Sequence, residues 1–147
     1  FPSSRRHPQF SRDALAASLS GKGMRYLHLP ELGGRRPPRA DSTNAGWREA
    51  GFRGYPDYME TAAFDEALAK LRALAAQAPT AIMCAEADWR NCHRGLIADR
   101  LKVTGAEVLH IVDATRAEPH PYTSPARIIG GRLAYPPPAA SQQELEF

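Results

Sequence analysis

The sequence predicts an α/β protein, a Rossmann-like three-layer domain with a mainly parallel sheet. Short apolar segments at 24–29, 80–84 and 107–112 have the composition of buried strands. A helical pattern over 91–104 separates the last two, and a strand, helix and strand in this order predict parallel neighbours in one sheet. The chain has 147 residues, which suits a single domain spanning 1–147.

Caps and apolar spacing predict the helices. Ser11 is a candidate N-cap for a helix that Gly21 and Gly23 end. Thr61 can cap a longer helix through Gln77, and Asn91 the helix over 91–104. The apolar stripe of the long helix consists of Phe64, Leu68, Leu71 and Leu74.

Other segments lack a clear period. Residues 30–54 are expected to form a long irregular segment, followed by a short helical turn at 55–60. The proline-rich residues 113–147 are expected to be mostly irregular. Because sheets of four or more strands are usual in such domains, three strands suggest that an N-terminal βαβ element is missing from this chain.

Composition narrows the class of protein. Apolar residues make up 43% of the chain, enough for a core, and no apolar run approaches the roughly 20 residues of a membrane span. No secretory leader pattern is seen, and two cysteines cannot form a disulfide scaffold. We therefore expect a cytoplasmic protein without a membrane partner.

The charge is uneven along the chain. Residues 1–53 carry ten basic and four acidic side chains, a net charge of +6, and 16 of the 19 basic residues are Arg. Arginine suits phosphate and carboxylate recognition, although a coding bias toward Arg explains the count equally well. We expect an anionic small molecule or a nucleotide as ligand. Nucleic acid is less favoured, because the overall charge is only +3.

The segment CAEADWRNCHR holds the densest set of reactive residues. Cys84 ends a predicted strand, and Cys92, His93 and Arg94 open the next helix. Ligands bind outside the carboxyl ends of strands in open α/β sheets, and a helix N-terminus favours anions and thiolates. Glu86 is close enough in sequence to serve as an acid or base.

Three interpretations of this segment remain open. A thiolate nucleophile is one, although a phosphatase of the tyrosine type is disfavoured because Glu86 and Asp88 would repel phosphate. A zinc site is disfavoured by the seven residues between the cysteines and the lack of a second close cysteine pair, so we expect no metal. The third is a structural role, with Cys84 packed as a small apolar residue.

A second candidate segment is HLPELGGRR, from His28 to Arg36. It leaves a predicted strand at its carboxyl end, Gly33 and Gly34 permit close approach of the backbone to a ligand, and Arg35 adds positive charge. A glycine pair after a strand is also typical of a simple turn.

Five motifs, taken in order, resemble the family catalogued as domain of unknown function 488. They are FPSSRRHPQFS, YLHLPELGGRR, FRGYPDYM, CAEADWRNCHRGLIADRL and GRLAYP. The resemblance implies an α/β fold and the location of a site, but no settled reaction. Such proteins usually begin with a strand, a helix and a second strand that carry a TIGHS-like motif and end in D-V-R, which this sequence lacks.

Two functions fit these observations. The first is an enzyme acting on an anionic small molecule or nucleotide, and the second is a non-catalytic module that binds a nucleotide or nucleic acid. The sequence specifies neither a cofactor nor an oligomeric state. The candidate catalytic residues are Cys84, Glu86, Cys92 and His93. The candidate ligand-binding residues, several of them implied by the resemblance, are Ser4, Arg5, His28, Glu31, Gly33, Gly34, Arg35, Tyr55 and Arg94.

Overall fold

The computed structural model describes residues 5–47 and 50–138. The chain divides into two compact units, Phe1–Leu32 and Gly33–Phe147. Among the described residues, no helix is both long enough and apolar enough to span a bilayer.

The described part of the first unit, residues 5–32, contains one α-helix. Helix α1 spans Arg12–Ser20 with Ser11 at its N-cap, so the predicted helix is confirmed. Short 3-10 turns lie at Pro8–Phe10 and Pro30–Leu32. Residues 24–29, predicted as a strand, belong to neither sheet.

In its described residues, the second unit carries three α-helices, α2 at Ala50–Met59, α3 at Ala62–Gln77 and α4 at Arg94–Val103. Thr61 caps α3 as predicted, because its hydroxyl accepts a hydrogen bond from the Phe64 amide at 3.3 Å. The N-cap of α4 is His93, two residues later than the predicted Asn91, since a 3-10 turn at Trp89–Asn91 precedes the helix. Helix α2 replaces the predicted short turn and part of the irregular segment.

The predicted parallel sheet is wrong. The described residues contain two separate antiparallel hairpins instead of one three-layer Rossmann-like sheet. The first pairs β1 (Leu109–Ile111) with β2 (Ala117–Pro119), and the second pairs β3 (Arg127–Ile129) with β4 (Arg132–Ala134). The predicted βαβ unit is also wrong, because residues 80–84 join no ladder and β1 pairs with the strand that follows it.

Loop closure explains the preference for hairpins. An antiparallel partner is reached through a short turn, whereas a parallel partner needs a crossover of a dozen or more residues. The sequence signal for the second hairpin is the pair Gly130 and Gly131, with φ of 56° and 76°. Two-residue hairpin turns favour left-handed residues at both central positions, which glycine adopts without strain.

The irregular segment 33–47 is fastened to α2 by one buried carboxylate. Asp57 accepts hydrogen bonds from the Arg39 amide at 2.8 Å and the Ser42 hydroxyl at 2.5 Å. It also accepts one from the Asn44 side-chain amide at 3.1 Å. These bonds hold a segment that has no helix or strand of its own in a fixed position against α2. The apolar core of this unit includes Tyr55, Phe64, Leu68, Leu71, Leu96, Ile97 and Tyr135.

Candidate active site: a cysteine–histidine cluster

Three reactive side chains converge in the second unit. Nδ1 of His93 lies 3.9 Å from the sulfur of Cys84 and 3.6 Å from the sulfur of Cys92. All three ligand-type atoms lie within 4.8 Å of one another. The structure thus brings together three of the four candidate catalytic residues, with Cys92 buried and the other two partly exposed.

A turn and a buried tryptophan position two members of this cluster. The Cys92 amide donates to the carbonyl of Trp89 at 3.2 Å and closes the 3-10 turn before α4. His93 follows as the N-cap residue of that helix. Gly95 lets the helix approach this turn, because a Cβ there would lie 3.2 Å from the Trp89 carbonyl oxygen. Cys84 is the last residue of the segment 80–84, which has no regular secondary structure and is separated from the 3-10 turn by the loop 85–88.

Gly34 and Tyr55 enclose the imidazole of His93. A Cβ on Gly34 would lie 2.5 Å from Nδ1 of His93, so only glycine leaves room for the ring. The Tyr55 ring is fully buried, and its centroid lies 5.4 Å from that of His93. Burial raises the pKa of Tyr55, which keeps the phenol neutral beside the imidazole. Both residues were candidates for ligand binding, and here they position His93.

Arg94 contacts both the cysteine–histidine cluster and the loop that precedes the 3-10 turn. Its Nε donates to the Cys92 sulfur at 3.3 Å, and its backbone amide lies 3.5 Å from the same atom. Its Nη2 donates to the carbonyl oxygens of Glu86 and Ala87. The guanidinium therefore contacts the backbone of Glu86, while the Glu86 side chain is exposed.

The pKa values of the two thiols are shifted in opposite directions. The pKa of Cys84 lies far below its usual range, because Cys92 and then His93 hydrogen-bond to it and stabilise the thiolate. The pKa of Cys92 is raised, because it gives its hydrogen bond to Cys84 and is buried. These opposite directions favour the thiolate at Cys84 and the protonated thiol at Cys92.

The remaining candidates belong to other parts of the chain. Arg5, His28 and Glu31 lie in the first unit, outside the unit that carries the cysteines, and Ser4 lies outside the described residues. The carbonyl of Gly33 accepts a hydrogen bond from Arg36 at 3.1 Å, and Arg35 is exposed.

A buried polar network centred on Asp99, which the sequence did not predict, lies beside the cluster. The carboxylate of Asp99, on α4, is fully buried. It accepts hydrogen bonds from Nε2 of His120 at 2.9 Å, the Tyr135 hydroxyl at 2.9 Å and both the amide and the hydroxyl of Thr123. Nδ1 of His120 in turn lies 2.8 Å from Nε2 of His110. Position 99 carried a weak signal, an acid within the inward-facing part of a helix, but its partners are more than 20 residues away.

The outer member of this network is held against Trp89. The His110 ring stacks on the indole with centroids 4.0 Å apart and planes 1° from parallel. Nε2 of His120 hydrogen-bonds to Asp99, and its Nδ1 shares a hydrogen bond with Nε2 of His110, so one of these two nitrogens donates and the other accepts. Burial and the nearby His120 lower the pKa of His110 to about 4, so its imidazole is neutral near pH 7.

Comparison with known proteins identifies the family. The family model described as a domain of unknown function, DUF488, matches residues 1–101. The chain belongs to the DUF488 family. The matched range contains the cysteine–histidine cluster and the residues that enclose it, namely Gly34, Tyr55, Cys84, Cys92, His93 and Arg94. No curated protein and no solved structure matches the chain.

Gly34→Ala is expected to displace His93 from the two sulfurs, because the new methyl group would occupy the space of the imidazole. The rate of Cys84 alkylation near pH 6 should fall several-fold, since the thiolate loses one of its hydrogen bonds. Gly21→Ala is the control, because its Cβ meets nothing closer than 3.6 Å. Unchanged alkylation in Gly34→Ala would show that His93 does not support the thiolate.

Proposed function

We propose that this DUF488 protein is an enzyme that uses Cys84 as a thiolate nucleophile on an anionic small molecule or a nucleotide. The observation that carries the proposal is the convergence of Cys92 and His93 on one partly exposed sulfur. Two neighbours that can hydrogen-bond to the sulfur favour the charged form of a thiol, and the thiolate is the reactive form.

The neighbouring residues have distinct roles in this proposal. Cys84 attacks an electrophilic carbon or phosphorus atom, so that a bond to Sγ forms and the bond to the leaving group breaks. The leaving group departs with the electron pair and takes a proton from His93, whose Nδ1 lies 3.9 Å from the attacking sulfur. Water then attacks the covalent intermediate: its oxygen forms the new bond to the substrate, its proton returns to His93, and the bond to Sγ breaks to release Cys84 as the thiolate.

Charge near the sulfur supports an anionic substrate. Arg94 uses Nε and Nη2 within the protein, and neither its side chain nor that of Arg90 is fully buried. Arg90 lies within the 3-10 turn and pairs with Asp88 at 3.3 Å and Glu118 at 3.7 Å, so Arg94 is the guanidinium that contacts a cysteine sulfur. Arginine binds carboxylate and phosphate groups through paired N–H donors, so the partly exposed Arg94 suits a substrate that carries either group.

Alkylation of the two cysteines by iodoacetamide tests the proposal without a known substrate. A depressed pKa means that the thiolate persists as the pH falls until it reaches the folded-state pKa. The Cys84 rate should therefore stay nearly constant from roughly pH 8 to pH 5, where an ordinary thiol slows about tenfold per pH unit. Mass spectrometry assigns the modified residue, and Cys84→Ser should abolish the fast reaction.

Cys92→Ser is the matched variant, because it removes the other thiol and leaves the nucleophile in place. We expect it to keep a reactive Cys84 but to shift the pH profile upward, since the main hydrogen bond to the thiolate changes. Slow alkylation of Cys84 with an ordinary pH profile would contradict the enzyme and would favour the alternative, a module that binds a nucleotide or nucleic acid without chemistry.

A further inference from the structure

We propose that Cys84, Cys92 and His93 also form a zinc-binding site, with three protein ligands and a fourth position open to an exogenous anion. The binding itself is independent of the proposed function. Its consequence depends on that function, because a zinc ion on the Cys84 sulfur would block the nucleophile and make the enzyme reversibly zinc-inhibited.

The distances fit a zinc ion closely. Zinc bonds of about 2.3 Å to sulfur and 2.0–2.1 Å to nitrogen place tetrahedral ligands about 3.5–3.8 Å apart. Nδ1 of His93 already lies 3.6 Å and 3.9 Å from the two sulfurs. The largest separation among the three atoms is within 4.8 Å, so the sulfurs need to approach each other by no more than about 1 Å.

The surroundings hold the ligands in place before an ion arrives. Cys92 is fixed by the 3-10 turn and by the N–H groups of Arg94 at 3.3 Å and 3.5 Å. His93 is confined by Gly34, and Nδ1 is the ring atom that faces both sulfurs. Hydrogen bonds to a coordinating thiolate and a fixed imidazole orientation are features of natural zinc sites. Cysteine and histidine ligands select zinc over magnesium or calcium.

The local charge defines the fourth ligand. Zinc binding releases the proton of Cys92 to solvent, so that two thiolates neutralise the charge of Zn²⁺, and the adjacent guanidinium of Arg94 leaves the site with an excess of one positive charge. An anion therefore completes the coordination better than a neutral molecule does. Hydroxide, chloride and a carboxylate or phosphate group of the substrate all satisfy this requirement.

Cobalt spectroscopy tests the site directly. The protein is treated with a chelator under reducing conditions and titrated with Co²⁺, which gives thiolate charge-transfer absorption and intense visible bands in tetrahedral sulfur sites. We expect one equivalent to bind, Zn²⁺ to displace it, and Cys84→Ser, Cys92→Ser and His93→Ala each to weaken binding at least about a hundredfold. His7→Ala, a histidine of the first unit, should bind as the unaltered chain does.

A parallel measurement separates this proposal from the proposed function. Iodoacetamide alkylation of Cys84 is followed in the metal-free and zinc-loaded protein, and we expect zinc to slow it at least tenfold. Fast alkylation without any cobalt spectrum would overturn the zinc site and leave the nucleophile intact. A tetrahedral cobalt spectrum with slow alkylation in the metal-free protein would support zinc and reject the nucleophile. Cobalt binding that the three ligand variants do not weaken would also overturn the site.

Discussion

Asp99→Ala is expected to lower the free energy of unfolding by about 3–5 kcal/mol, because it removes the acceptor of a fully buried network. His120, Thr123 and Tyr135 all donate to this carboxylate. Without it their polar groups remain buried and unpaired, and each such group costs about 1–3 kcal/mol. Urea unfolding followed by circular dichroism measures the change, provided that the slope with denaturant is unchanged.

Two further variants make the result specific. Asp65→Asn alters another helical aspartate whose ion pair with Arg100 at 3.0 Å is on the surface, so it should cost no more than about 1 kcal/mol. Tyr135→Phe removes only one hydrogen bond to Asp99 and should cost about 1.5–3 kcal/mol, which keeps the test informative if Asp99→Ala does not fold. Equal stability of Asp99→Ala and Asp65→Asn would refute a structural role for the network.

Gly54→Ala is expected to destabilise the protein by about 3 kcal/mol, because a Cβ at this position would lie 1.9 Å from the carbonyl oxygen of Arg36. The added Cβ is fixed by the backbone of α2, and the atoms that it would meet belong to the backbone of Arg36 and Pro37. No side-chain rotation can therefore relieve the clash. The intrinsic helix preference of alanine opposes this loss by at most about 1 kcal/mol. Thermal or urea unfolding gives the net change.

Gly51→Ala is the matched control on the same helix. A Cβ there meets nothing within 4 Å, so only the helix preference acts, and the variant should be up to about 1 kcal/mol more stable than the unaltered chain. Opposite signs at two glycines three residues apart would show that α2 lies directly against the backbone of residues 36–37. Stabilisation by both substitutions would contradict this packing.

The cysteine cluster illustrates what local sequence can predict. Cys92, His93 and Arg94 are consecutive at a helix start, and Cys84 ends the segment just before the loop. A short loop keeps both of its ends close, so convergence follows from chain connectivity alone. The distances that favour a zinc ion did not follow from spacing, because His93 turns toward both sulfurs only where Gly34, some 60 residues earlier, leaves room for it.

By itself, the sequence determined the family and helices α1, α3 and α4. Helices depend on hydrogen bonds and caps within a few residues, so Thr61 and the apolar stripe of α3 were sufficient to define that helix. Only the tertiary structure decided the pairing of the strands and the partners of Asp99. Apolar runs such as 80–84 specify an extended conformation but not a neighbour, since pairing depends on loop closure and on backbone groups far away in sequence.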